Sequence, residues 1–447
     1  MRTKMLTAIV TAVMATGILA ACGPDQATPA ERTVITFAYP EYLTAFNQAN
    51  YERLAKEFNE QNPGLHVELR AVSTEELMDS GSDYLSLLLD GDWGVDVFLS
   101  RGFQRLVESK DVLPLDDLIA ARPEVEIDDF YPLALDLMRH QGQLQGLPAE
   151  LDLAVVYYNK SLFDQAGVPY PAVDWTRDDF LATAVALRQA LPETEMVFGG
   201  QVDQAVPFVY AHGGRVEDEG SYTLTDPLTV EAVRWFADLA LVHGVMPLLQ
   251  QVEAYQPEAR EGRIISSVTV GGDEVPEAEL RWVMIGGDIE VAAQEGDVAL
   301  WGFNLSERQG TGGWDWDFDW GVVPWPRDQQ SVFIGYPFAY FISGKTPHRE
   351  AALRWVDFLS RQPPQLKGIP ARRSVAEEAR RSFEREIGAE AYKACLRTVE
   401  EGTPIAYHLY NSAEKYLGQA MLDILGDGRD VEQALSEAQA RLEGGGS

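Results

Sequence analysis

The sequence predicts an α/β fold with mostly parallel sheets, and three observations predict it. Short apolar or alternating runs recur between longer stretches whose apolar residues keep helical spacing. The chain has 447 residues, enough for two or three domains of ordinary size. Hydrophobic residues make up 46% of it and ten are tryptophan, which suits full cores rather than a disordered or fibrous chain.

The first 22 residues, MRTKMLTAIVTAVMATGILAAC, predict an export segment rather than a structural element. Arg2 and Lys4 give a charged start, an apolar stretch follows, and small residues precede Cys22. The alternative is a membrane-spanning helix, but the apolar stretch is shorter than the roughly 20 residues that a span needs. Leu19-Ala20-Ala21-Cys22 resembles the bacterial lipobox, which implies a signal peptide over 1–21 and lipidation at Cys22. Residues 22–32 then read as a tether, and the final Gly-Gly-Gly-Ser as a flexible tail. Of two cysteines this leaves Cys395 alone, so neither an internal disulfide nor a CxxC metal site is expected.

RTVITFAYP predicts a strand over Thr33–Tyr39, and YERLAKEFNEQ a helix from about Asn50, with Tyr51, Leu54 and Phe58 inward and Asn62-Pro63-Gly64 as its stop. LHVELRAV and GVDVFLS predict the next strands. LPAELDLAVVYYN is a further strand, and it carries Glu150 and Asp152 on one face. DWTRDDFLATAVALRQAL predicts a helix capped by Thr176 and Asp179 and stapled by Trp175. TDPLTVEAVRWFADLALVHGV predicts another, opened by Asp226-Pro227 and closed at Gly244. FDWGVVPWP and VFIGYPFAYFIS predict strands, and HREAALRWVDFLS and NSAEKYLGQAMLDILG helices. Trp235 and Trp355 fall on apolar helix faces and read as core.

Charge narrows the function. Seventy acidic against 36 basic residues give a formal charge of −34, and no Lys/Arg run offers a phosphate-neutralising stripe, so nucleic acid is excluded as a partner. Such a charge is foremost a solubility device. Glu150 and Asp152 remain open to three roles: a catalytic pair, since strand neighbours stand about 6.5 Å apart and glycosidases use carboxylates at about 5–9 Å; ligand acceptors; or solvated or loop-anchoring acids. In TGGWDWDFDWGVVPWP, Asp315, Asp317 and Asp319 imitate the start of an EF-hand loop, but its sixth and twelfth positions are Trp320 and Pro326 rather than Gly and Glu. Strict alternation reads instead as a strand with an aromatic buried face and an acidic wet one. Gly310–Gly313 lacks the Gly-Lys-Ser/Thr of a Walker loop, and no HExxH or GxSxG is present, so no cofactor is implied.

LAKEFNEQNPGLHVEL, DVFLS with DVLPLDDLI, and GQLQGLPAELDLAVVYYNKSLFDQAGV follow in the order of a known family. So do DWTRDDFLATAVAL, TDPLTVEAVRWFADLALVHGVMPL, EGDVALWGF, FDWGVVPWP, EAALRWVDFLS and IPARRS. Together they resemble the extracellular solute-binding proteins of ABC importers, family 1, which includes maltose-binding proteins and many sugar binders. The resemblance implies a two-lobed periplasmic-binding-protein fold with discontinuous lobes joined by hinge strands. Lobe 1 would comprise 33–150 plus 334–368, and lobe 2 would comprise 151–333 plus 369–443. It implies a small solute, most readily a mono- or oligosaccharide, held between the lobes, ABC permease subunits as partners, and a monomer anchored by lipid outside the cytoplasmic membrane. A cationic or amino solute, a non-transport surface lipoprotein and a glycan-processing enzyme are the competing readings.

On that resemblance the expected ligand-binding residues are Tyr39, Glu41, Ser100, Arg101, Glu150, Asp152, Trp301, Phe303, Trp325, Tyr410 and Asn411, with Tyr42 beside the first of them. Carboxylates accept from vicinal hydroxyls, and flat rings pack on the CH face of a pyranose. Asp152 matches the position of a sugar-binding glutamate in the maltose-binding relative. Ser100 and Lys415 stand where that relative has tryptophans, so maltose itself is not the expected ligand.

Overall fold

Strand β1 (Thr33–Pro40) and the helix after it form where the apolar spacing places them. The computed structural model describes residues 32–41, 50–73, 75–76, 84, 88, 94–101, 106, 111–192, 196–200, 204–218, 221–251, 269–270, 273–274, 282–284, 289–308, 316–405 and 407–443. The signal peptide 1–21, Cys22, all but the last residue of the tether, Tyr42, residues 310–315 and the terminal Gly-Gly-Gly-Ser lie outside them. Helix α1 (Tyr51–Gln61) buries Tyr51, Leu54 and Phe58, and the Asn50 side chain accepts the Arg53 N–H at 2.9 Å to cap it. Strands β2 (Leu65–Val72) and β3 (Val97–Ser100) both pair parallel with β1.

The centre of the molecule is β4 (Leu147–Asn159), thirteen residues long. Helix α2 (Lys160–Ala166) follows it directly. Helix α3 (Arg177–Ala190) has the capping box expected of Thr176 and Asp179, and Trp175 packs on Phe180 with ring centroids 5.4 Å apart, the predicted staple. Then come β5 (Met196–Gly199), α4 (Ala205–Ala211) and α5 (Pro227–Leu241), the last capped by Asp226. Strands β6 (Val298–Asn304), β7 (Trp320–Pro324) and β8 (Gly335–Ile342) precede α6 (Arg349–Ser360). The short β9 (Ile369–Pro370) leads into α7 (Arg373–Ile387), α8 (Ala389–Glu401), α9 (Tyr407–Asp427) and α10 (Val431–Glu443).

These strands make one nine-stranded sheet, ordered β2-β1-β3-β8-β4-β6-β5, with β7 and β9 also pairing on β4. Strand β4 serves two halves. Its residues 147–153 pair with β8, and Glu150 and Leu151 with β9. Its residues 154–159 pair with β6 and β7. Only the pairs β1–β2, β1–β3 and β5–β6 are parallel, so the sheet is mixed rather than mostly parallel. The reason is that every strand bonded to β4 runs antiparallel to it.

Both faces of the second half are covered. Val155 and Tyr157 join one core with Trp301, Val322 and Cys395, while Val156 and Tyr158 join another with Phe163, Leu300 and Val323. Two-sided burial explains the near-continuous apolar run AVVYY. Trp355 is fully buried against Phe37 and Phe58, as expected; Trp235 is half-buried, with the Arg177 guanidinium 5.2 Å from its ring centre. Trp316, Phe318 and Trp320 alternate inward while Asp317 and Asp319 are exposed, but pairing begins only at Trp320, so 316–319 carries the alternation without being a strand.

The run VFIGYPFAYFIS, expected as one strand, is broken between Phe333 and Gly335. Gly335 sits at φ +150°, opposite Leu153, and a Cβ there would lie 2.0 Å from the Asp152 carbonyl oxygen. That neighbour is backbone and cannot swing away. Gly335→Ala is therefore expected to destabilise the protein by about 2–4 kcal/mol, read by urea denaturation; an unchanged midpoint would mean that the break tolerates a side chain.

Candidate functional site

The sheet register brings strand ends of the two halves to one level of β4. Strand β3 ends at Ser100, which lies opposite Ala339, and Ala339 lies opposite Pro148, so β3 reaches Arg101 near the level of Glu150. Strand β6 runs the other way, with Asn304 opposite Ala154, so the turn after it reaches the level of Asp152. In open α/β sheets the carboxyl ends of strands are where ligands bind. Here the carboxyl ends of β3 and β6 converge on residues 150–154.

Asp152 is the centre of that convergence and is completely buried. The Ser306 N–H and hydroxyl donate to its two oxygens at 3.0 and 2.7 Å. Burial raises the Asp152 pKa; bonds from Ser306 and Tyr336 and the charge of Arg101 oppose the rise. Tyr336, opposite Asp152 on β8, takes Arg101 Nη1 at 2.8 Å and Asn304 Nδ2 at 3.2 Å on its hydroxyl. The Arg101 guanidinium also stands 5.1 Å from the Tyr336 ring centre. Burial, with the neighbouring Asp152 charge, lifts the Tyr336 pKa well above that of a free phenol. A carboxylate, a phenol, a guanidinium, an amide and a hydroxyl thus gather from β3, β4, β6 and β8: donors and acceptors together, suited to a polyhydroxylated molecule.

The other expected site residues are placed differently. Glu150, also buried, does not face water; its carboxylate accepts backbone N–H groups of Gln365, Leu366 and Gly368. Tyr39 is the penultimate residue of β1, with its ring on Phe37 and Tyr51, and Glu41 just beyond the strand is exposed. Ser100 is buried at the end of β3. Trp301 has no exposure, being stacked on Tyr157 at 5.8 Å and edge-on to Trp316 at 5.1 Å. Phe303 is half-buried against the same core. Trp325 packs on Phe208 at 5.3 Å and over Gly302, where a Cβ would meet its ring at 2.7 Å. Tyr410 and Asn411 lie within α9, which begins at Tyr407 rather than at Asn411.

Tyr336, Asn304 and Ser306 were not singled out by the sequence. Tyr336 alternates with Phe338 and Tyr340 on β8, a pattern that core residues share. Asn304 and Ser306 straddle the end of β6, and only the register of β6 on β4 aligns them with Asp152.

Among the described residues no helix is long and apolar enough to cross a membrane. The family model for bacterial extracellular solute-binding proteins matches residues 46–365. An arabinooligosaccharide-binding protein of Halalkalibacterium halodurans is 27% identical over 220 residues, covering 47% of this chain and 46% of that protein. The chain thus spans less than half the length of the curated relatives it matches. An ABC substrate-binding protein from Listeria monocytogenes, solved with cycloalternan, superposes with TM-score 0.66 at 19% identity over 93% of this chain and 100% of its own. UgpB from Mycobacterium tuberculosis, solved with glycerophosphocholine, gives TM-score 0.66 at 19% identity over 92% and 97%. The α/β fold is that of these two-lobed binding proteins. With its family model matched over most of its length, this chain belongs to the bacterial extracellular solute-binding proteins.

Proposed function

We propose that this protein is the substrate receptor of an ABC importer, binding a mono- or oligosaccharide between two lobes and delivering it to permease subunits. The observation that carries the proposal is the convergence of carboxyl strand ends from both sheet halves on Asp152, where Tyr336, Arg101, Asn304 and Ser306 meet. Carbohydrate is favoured by that mixture of donors and acceptors and by two relatives, one named for arabinooligosaccharide binding and one solved with cycloalternan. The role is binding rather than catalysis: the family is one of solute binders, and Glu150 is engaged by backbone amides instead of opposing Asp152 across a substrate. Lobe 1 is assigned to 33–150 plus 334–368 and lobe 2 to 151–333 plus 369–443; the change of partners along β4 supports a crossing near Leu153–Ala154, while β9, at the start of the second lobe-2 segment, pairs with the first half of β4. Cys22 is the proposed lipid attachment site, holding a monomer outside the cytoplasmic membrane.

The mechanism is a population shift. A solute that touches both lobes only when they are closed binds that state more tightly, and moving from mostly open to mostly closed takes about 5.5 kcal/mol of differential affinity. Several charge-assisted hydrogen bonds supply that order of energy.

A thermal-shift screen of arabino-oligosaccharides, maltooligosaccharides, polyamines and glycerophosphodiesters is expected to give its stabilisation with a sugar, about 2.7 kcal/mol at 100 times the dissociation constant. Small-angle scattering with the same sugar should show compaction. A response to polyamines alone, or an unchanged envelope at saturation, would overturn the reading. With the responding sugar, Asp152→Asn is expected to weaken binding at least about tenfold by calorimetry, because a charge-assisted acceptor is lost. Wild-type affinity in a folded variant would move the site elsewhere.

A further inference from the structure

Glu150 shares a face of β4 with Asp152 but serves a different contact. Its Oε1 accepts the N–H groups of Gln365 at 2.5 Å and Leu366 at 2.9 Å, and its Oε2 those of Leu366 at 3.1 Å and Gly368 at 2.8 Å. Closely spaced backbone N–H groups around a left-handed residue make an anion-binding nest, and Lys367, within this segment, has φ +64°. The anion here is the protein's own carboxylate, and the partners that hold it are all backbone amides.

The clipped segment is held from its other side too. Arg308 Nη1 donates to the Lys367 carbonyl and to the Leu305 carbonyl, and Nε pairs with Glu386 at 2.6 Å. Arg308 ends the turn Leu305–Glu307, whose Ser306 supplies two hydrogen bonds to Asp152. A closed circuit results: Glu150, the 365–368 connection between α6 and β9, Arg308, Ser306, Asp152, and back along β4 to Glu150.

We propose that Glu150 is a positioning residue, whose ionised carboxylate fixes the 365–368 connection and, through Arg308, the Ser306 turn that binds Asp152, with a proton as the control. The assignment of Asp152 to the solute site comes from the proposed function; the clip itself is testable without a solute. Burial pushes the Glu150 carboxyl up to about 7, against the pull of the three amides, and Asp152 adds to the rise. The other ionisable or charged groups around it are Tyr340 on β8 and Tyr51 on α1, which both feel its charge, Lys367 in the connection, and Arg308 beyond.

The linkage has two opposite signs. The unfolded carboxyl titrates near 4.5 and the folded one near 7, so the unfolded chain releases its proton first and Glu150 lowers global stability as pH rises across that window. For the clip the reference state differs: with Glu150 still buried but without its three amides the carboxyl would titrate higher still, so deprotonation, centred near 7, tightens the clip.

Amide hydrogen exchange on the ligand-free full chain, corrected for intrinsic rates, reads this directly. From pH 8 to pH 6 the Leu366 and Gly368 amides are expected to lose about tenfold protection in the wild type, with the Ser306 amide following. In Glu150→Gln they should be weakly protected at both pH values, while the remote Asp179 amide of the Thr176 cap is unchanged. Wild-type protection that is flat from pH 6 to pH 8, or a Glu150→Gln protein with wild-type protection, would overturn the proposal. Loosening of 365–368 that leaves Ser306 unmoved would overturn the coupling. Should Glu150→Gln fail to fold, the wild-type titration decides alone. A negative sugar screen leaves these readouts untouched, so the two proposals fail separately.

Discussion

Strand β4 belongs to both halves of the sheet, so its backbone groups must be paired along a run in which only Ala154 is not buried. Four strands divide that duty, β8 and β9 on the first half and β6 and β7 on the second. The changeover of partners falls at Leu153–Ala154. Gly335 packs against it so closely that a β-carbon would collide with backbone. A strand shared in this way ties the position of one half to the other, and the convergence of strand ends on Asp152 is a consequence of that sharing.

Two carboxylates in such a strand carry a heavy desolvation penalty, and the protein offsets it twice by different means. Asp152 is met by side chains and one amide: Ser306, and Tyr336 with Arg101 behind it. These partners come from loops and strand ends, groups that can exchange a protein contact for a solute contact. Glu150 is met by backbone amides of one short connection, which have no rotamers to change. The first arrangement is adaptable and the second is rigid. On the proposed function, the kind of donor that satisfies each acid separates a binding centre from its support.

The aromatic residues show the limit of composition as a guide to a site. Trp301 and Trp325, expected beside a sugar, are packed on Tyr157, Trp316, Phe208 and Gly302. A large ring on a strand covered on both faces buries area whichever role it has, and its position in the alternation cannot distinguish stacking on a neighbour from stacking on a ligand. The acidic-aromatic segment behaves similarly. Alternation from Trp316 to Trp320 correctly separates buried rings from wet acids, yet ladder pairing starts only at its last residue.

Local signals determined the local structure: the Asp226-Pro227 start of α5, the Thr176–Asp179 box with its Trp175 staple, and the inward stripe of α1 were legible because they depend on neighbours within about one turn. The order of motifs also determined the family. What the tertiary structure decided is which residues share a place. Strand direction around β4, the burial of Glu150 and Asp152, and the meeting of Arg101, Asn304, Ser306 and Tyr336 all depend on register between segments far apart in the chain. A side chain's alternation fixes its face, but only the partner strand fixes whether that face meets water, core or another lobe's loop.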